Sequence, residues 1–204
     1  MPAPRHLVDT LESVLSLYFS NCRHKERAAF ILCDEFVEVT CREKVKLRHR
    51  NLGRLNFHDL LRHAEVGLDT ATGLGQPVFA CHNTRNDIQH NNPAATVDGQ
   101  HCADAIMDAV EVLEHCFPGA KEALPEKLKI TLRVMRLFSQ QGDPRQQTEF
   151  GDAMQKHQWR GVREQARQNE VIVAPGNRAN WGLVIPSEYA RVEALLDRIG
   201  VPSF

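Results

Sequence analysis

The sequence predicts a mainly α protein in two units: an up-down helical bundle over residues 1–118 and a small α+β unit over 119–204. Three observations predict it. Apolar residues recur at helical spacing through the first 118 residues, and nothing there looks like a strand. Pro118-Gly119 then breaks the pattern. Finally "EVIVAPGNRANWGLVIP", residues 170–186, sets two β-rich runs around a Pro-Gly-Asn turn, the strongest hairpin signal in the chain.

Leu7, Leu11, Val14, Leu15 and Tyr18 place a first amphipathic helix over residues 5–21. Ala29, Leu32, Cys33, Phe36 and Val37 extend a second over roughly 24–41. "NFHDLLRHAEV" gives a shorter third helix, and "GLDTATGLGQP" interrupts the periodicity with three glycines and a proline. "CHNTRNDIQHNN", Cys81 to Asn92, is a fourth helix, stopped by Pro93. A fifth spans about 98–117, with Cys102, Ile106, Ala109, Val110, Leu113, Cys116 and Phe117 on one face. Beyond it, residues 125–140 read as a helix, although Leu128, Ile130, Leu132 and Val134 alternate as in a strand and keep that reading open. Short helices follow in "GDPRQQTEFGDAMQKH" and "QWRGVREQARQN", then the hairpin, then a helix opened by Ser187 in "SEYARVEALLDRI". Three helices and a hairpin in that order make a winged helix-turn-helix arrangement.

Bulk properties exclude several classes. The chain has 204 residues, 42% hydrophobic and 25% charged, ordinary proportions for a soluble globular protein with a substantial core. No apolar run approaches the roughly 18 residues of a membrane span. Asp9 and Glu12 interrupt the N-terminal apolar stretch, so it does not read as a signal peptide. Six cysteines without CxxC pairs fit reduced thiols in the cytoplasm. The net charge of −1 is uneven: residues 119–204 hold 13 Lys and Arg against 10 Asp and Glu. In the other half, "CREKVKLRHRNLGR" carries Arg42, Lys44, Lys46, Arg48, Arg50 and Arg54 against Glu43, either a solvated helix end or a phosphate-attracting patch.

The fourth helix has an odd composition. It holds His82, Arg85, Asn86, Gln89 and His90 but no lysine or glutamate. At about 100° per residue these five share one broad face, while Cys81, Thr84 and Ile88 fall opposite and pack inward. Arginine supplies a planar cation matched to phosphate oxygens. Histidine supplies a proton donor or acceptor near neutral pH. Asn86, four residues before His90, is close enough to orient its imidazole. Together these are the parts for cleaving a phosphodiester without a metal, the histidine moving protons and the arginine stabilising phosphate charge.

"RNDIQH" resembles the Arg-(polar)-x-x-x-His signature of the HEPN superfamily, with Asn86 at the polar position. The setting is similar too, over roughly residues 5–118: a helical bundle with the motif late in it and one long helix after. The resemblance implies a metal-independent endoribonuclease without a cofactor, dimerising so that two motifs meet across a composite cleft. It implies that the RNA 2′-hydroxyl attacks the neighbouring phosphate, with Arg85 holding that phosphate, His90 as general acid or base and Asn86 orienting it. His82, Gln89, Arg48 and Arg50 are the adjoining candidates for RNA contact. HEPN toxins paired with nucleotidyltransferase antitoxins often carry tyrosine two residues after the histidine; here that position is Asn92. Many HEPN domains are inactive scaffolds.

Other sites rank lower. Cys81-His82, His101-Cys102 and His115-Cys116 lack zinc-ligand spacing, and no metal is expected. His101 and His115 lie on nearly one stripe and could flank a cleft. Arg160, Arg163 and Arg167 form a basic stripe, and Arg178 stands at the predicted hairpin tip, a pattern suited to nucleic acid or to a protein partner. Two functions therefore compete: an RNA-cleaving homodimer of the toxin or anti-phage defence kind, and a non-catalytic HEPN dimer acting as a DNA-binding regulator or adaptor.

Overall fold

The computed structural model describes residues 2–20, 22–48, 55–92, 96–155 and 189–203. Among them the chain is helical, with no strand. Helices α1 (Arg5–Tyr18), α2 (Lys25–Lys46), α3 (Phe57–Arg62) and α4 (Gly75–Asn86) are followed by a π-helical turn, Asp87–Asn91. Then come α5 (Gly99–Cys116), α6 (Ala120–Ala123), α7 (Glu126–Phe138), α8 (Pro144–Gln155) and α9 (Tyr189–Arg198). The expected hairpin at 170–186, the helix before it, and Arg160, Arg163, Arg167 and Arg178 lie outside the described residues, as does Arg50.

Helix α5 is the hub. Ten of its residues are buried around most of its circumference, because α2, α4 and α7 all pack on it. Asp98 caps it by accepting the His101 backbone N–H at 2.7 Å. Helix α1 lies on α2 through its Leu7–Leu11–Val14–Leu15–Tyr18 stripe, and the Tyr18 hydroxyl donates to the Gly99 carbonyl at 3.0 Å.

Residues 126–138, which the alternation left open between helix and strand, are helical. Ile130 to Met135 are buried without a break, so a solvent face never shows in the pattern. Arg133 is buried there and donates to Asp197 at 2.6 Å and to the Val201 carbonyl at 2.7 Å, tying α9 to α7. Leu128, Ile130, Leu132, Met135, Leu137, Phe150, Leu195 and Leu196 belong to the same hydrophobic cluster as the apolar residues of α1, α2 and α5.

Candidate functional site

Helix α4 touches both α2 and α5, and that double contact decides where its side chains go. Val78, His82 and Arg85, at i, i+4 and i+7, form a stripe against α2. Pro77, Cys81 and Thr84 form a second stripe, lining a cavity shared with α5. The expected outward face therefore divides. His82 and Arg85 are only 15% and 22% exposed as side chains, whereas Gln89 and His90 are exposed. The polar character of His82 and Arg85 made them look solvent-facing; a carboxylate on the neighbouring helix draws them in.

That carboxylate is Asp34. It sits on the apolar stripe of α2 beside Phe30, Cys33 and Val37, with its side chain 3% exposed. His82 Nδ1 lies 3.0 and 3.1 Å from its two oxygens. Arg85 Nε is 3.2 Å from Oδ2, within ion-pair reach but out of line for a hydrogen bond. The Arg85 Nη1 donates instead to Asn86 Oδ1 at 2.9 Å. Burial pushes the Asp34 carboxyl above its ordinary range, while His82 and Arg85 pull it back. The His82 ring stacks on Phe57 at 4.0 Å between centroids and 14° between planes. Nδ1 is the ring nitrogen turned to Asp34, and Nε2 lies on the far side of the ring.

After Asn86 the helix changes register. The Asn92 N–H donates to the Asp87 carbonyl at 2.8 Å, an i→i+5 bond. In this register the Ile88 carbonyl would look to residue 93, a proline with no N–H to give, and Arg27 Nη2 donates to it at 3.3 Å. A π turn takes more residues per revolution than the 3.6 of an α-helix, so His90 swings back towards the Arg85 side instead of trailing away from it. Ile88 stays buried at 2% exposure and anchors the turn.

The basic segment that ends α2 has partners for each of its cations where it is described. Arg42 pairs with Glu38 at 2.7 Å and donates to the Leu55 carbonyl. Lys44 donates to the Cys116 carbonyl at 2.7 Å, Lys46 pairs with Glu43 at 2.7 Å, and Arg48 with Glu65 at 3.2 Å. Arg48 keeps most of its side chain in solvent, and such surface pairs contribute little, so its cation stays available. His115 Nε2 stands 2.5 Å from the Val66 carbonyl, whereas His101 lines the α4–α5 cavity. The Cys81 thiol is pushed up to about 12 by burial and by Asp108, Asp34 and Asp104, which disfavours a nucleophilic role.

Asp34 is the residue at the centre of this contact that sequence reasoning overlooked. Its signal was present: a carboxylate four residues after Phe30 and three before Val37, on the buried stripe of an amphipathic helix. His82 and Arg85 meet at the buried Asp34 carboxylate, Asn86 accepts a hydrogen bond from Arg85, and His90 is exposed on the adjoining turn. No family model matches the chain, and neither a curated protein nor a solved structure matches it.

Proposed function

We propose that the chain is a HEPN-type, metal-independent endoribonuclease that works as a cytoplasmic homodimer in toxin or anti-phage defence. The observation that carries this reading is the exposed His90 on the π turn that directly follows Arg85 and Asn86. Asn86 braces the Arg85 guanidinium just before that turn. In the reaction, the RNA 2′-oxygen attacks the adjacent phosphorus and loses its proton to a base. The P–O5′ bond breaks, and O5′ takes a proton from an acid, leaving a 2′,3′-cyclic phosphate. His90 of one protomer serves one proton transfer and its counterpart across the dimer the other, while Arg85 offsets phosphate charge. Arg48, Arg50 and Gln89 guide the strand. Residues towards the C-terminus, with Arg160, Arg163, Arg167 and Arg178, form the winged-helix-like unit that selects nucleic acid or a protein partner.

Single-stranded RNA incubated with the protein in EDTA should be cut to products with cyclic phosphate ends. Substitution His90→Ala should slow cutting by roughly 10²–10⁴-fold with an unchanged melting profile. Intact RNA with the wild type, or cutting by His90→Ala at the wild-type rate, rules the enzyme out. The engagement of Arg85 with Asp34 favours a second reading, a non-catalytic HEPN dimer in which Arg85 is architectural. That form binds duplex DNA with a steep salt dependence, which Arg163→Ala flattens.

A further inference from the structure

We propose that the cavity between α4 and α5 binds a small organic cation, an ammonium or guanidinium head on a short apolar stem. This inference is independent of RNA cleavage. The cavity measures about 340 Å³, far more than a single water needs and at the small end of ligand pockets. Its wall is of two kinds. Met107, Pro77 and Ala80 supply apolar surface, and Asp104, Asp108 and Thr84 supply polar groups. The turn after α7 closes one side through Gln140 and Gln141, the Gln140 backbone N–H being held by Asp104 Oδ1 at 2.7 Å.

The charge of the wall states the ligand's chemistry. Among the described residues it carries no lysine or arginine, and beside one histidine, His101, it holds two carboxylates one helical turn apart on α5. Burial and the neighbouring carboxylates Asp104 and Glu111 push the Asp108 carboxyl up to about 6. The Cys81 thiol on the facing helix is raised in part by Asp108 and Asp104, so the negative field spans the chamber. An anion is repelled there. A bare metal ion is poorly served, because no group of three or more His, Cys, Asp or Glu converges among the described residues. An organic cation meets both kinds of wall: its N–H donors reach the carboxylates, and its stem lies on Met107, Pro77 and Ala80.

Calorimetric titration of the full chain with agmatine and with putrescine at low salt tests this. Methionine-methyl NMR locates the contact at Met107. One saturable site per chain is expected, with the Met107 methyl shifting and Asp108→Asn weakening binding by roughly tenfold or more. Ala80→Leu narrows the chamber without touching its charge and should weaken binding as well. If neither cation saturates, or if the Met107 methyl stays still, the site is refuted. Equal affinity in Asp108→Asn and Ala80→Leu would likewise refute it, since attraction would then come from overall charge.

Discussion

Helix α4 separates two acidic environments. On its α2 side, Asp34 is almost fully buried but faces His82 and Arg85, both supplied by α4. On its α5 side, Asp108 and Asp104 face a cavity to which α4 supplies Thr84, Cys81, Ala80 and Pro77, none of them cationic. Burial raises the carboxyl on both sides. On the α2 side α4 itself supplies the opposing groups, whereas on the α5 side His101 draws down Asp104 and no such group offsets Asp108. A buried carboxylate thus accounts for the strange composition of α4: His82 and Arg85 are required by Asp34 before any substrate is considered. On the cavity side Asp108 has no such partner, and that is where the organic cation is proposed to sit.

The largest expected effect comes from moving the helix that divides them. Gly75, the first residue of α4, is buried, and a Cβ there would stand 2.1 Å from the Asp69 carbonyl oxygen. That contact is with backbone, which cannot swing aside. Gly75→Ala should therefore cost about 3 kcal/mol, lowering the melting temperature by roughly 10 °C. Because α4 must shift off α2 and α5 together, cation binding and RNA cutting should fall in the same variant. A melt within 2 °C of wild type, on the scale of roughly 0.5 kcal/mol, would show that the start of α4 is not pinned.

A smaller and more selective change is Asp34→Asn. Asparagine keeps one acceptor oxygen for His82 but turns an NH₂ donor towards the Arg85 guanidinium, setting donor against donor. A half-buried cation loses its counter-charge, which should destabilise the fold by about 2 kcal/mol in urea denaturation at pH 7. Cation binding in the cavity should be untouched. Stability equal to wild type would mean that Arg85 takes its support from Asn86 alone, and the contrast between the two faces would collapse.

Much of the fold was legible because periodicity reports burial: α1 buries one stripe, and α5, buried around most of its circumference, still keeps His101, Asp104, Asp108 and Glu111 as a narrow polar stripe. Legibility failed where burial left no polar stripe or took in polar residues. In α7 the buried run Ile130–Met135 lost its helical signature, since α5 lies on one side and α9 on the other. In α4 the residues assigned to solvent included His82 and Arg85, because a polar side chain looks outward until its buried partner is known. Asp34 is 48 residues from His82 in sequence, and no local spacing joins them. The π turn was equally hidden: projection at the α-helical pitch places His90 further from Arg85 than an i→i+5 register does.

Asp108→Asn is the smallest expected effect and the one that separates the two faces most sharply, for the same chemical change should have the opposite sign. The Asp108 carboxyl titrates at about 6 in the fold against 3.8 in the unfolded chain. Between those values the folded state holds more protons than the unfolded state, so wild-type stability falls as pH rises through the window. The contribution is fully present below the unfolded value and gone above the folded one. Asparagine carries no charge at any pH and removes the repulsion from Asp104 and Glu111. At pH 8 the variant should be more stable than wild type by about 1 kcal/mol, and near pH 4 the two should coincide. Asp104, also raised by burial, retains its own slope of the same sign in both proteins and drops out of the difference. Saturating agmatine at pH 8 should narrow the gap by stabilising the wild type more than the variant. A variant less stable than wild type at pH 8 would mean that Asp108 already has a cationic partner within the fold, and the two faces of α4 would then be alike.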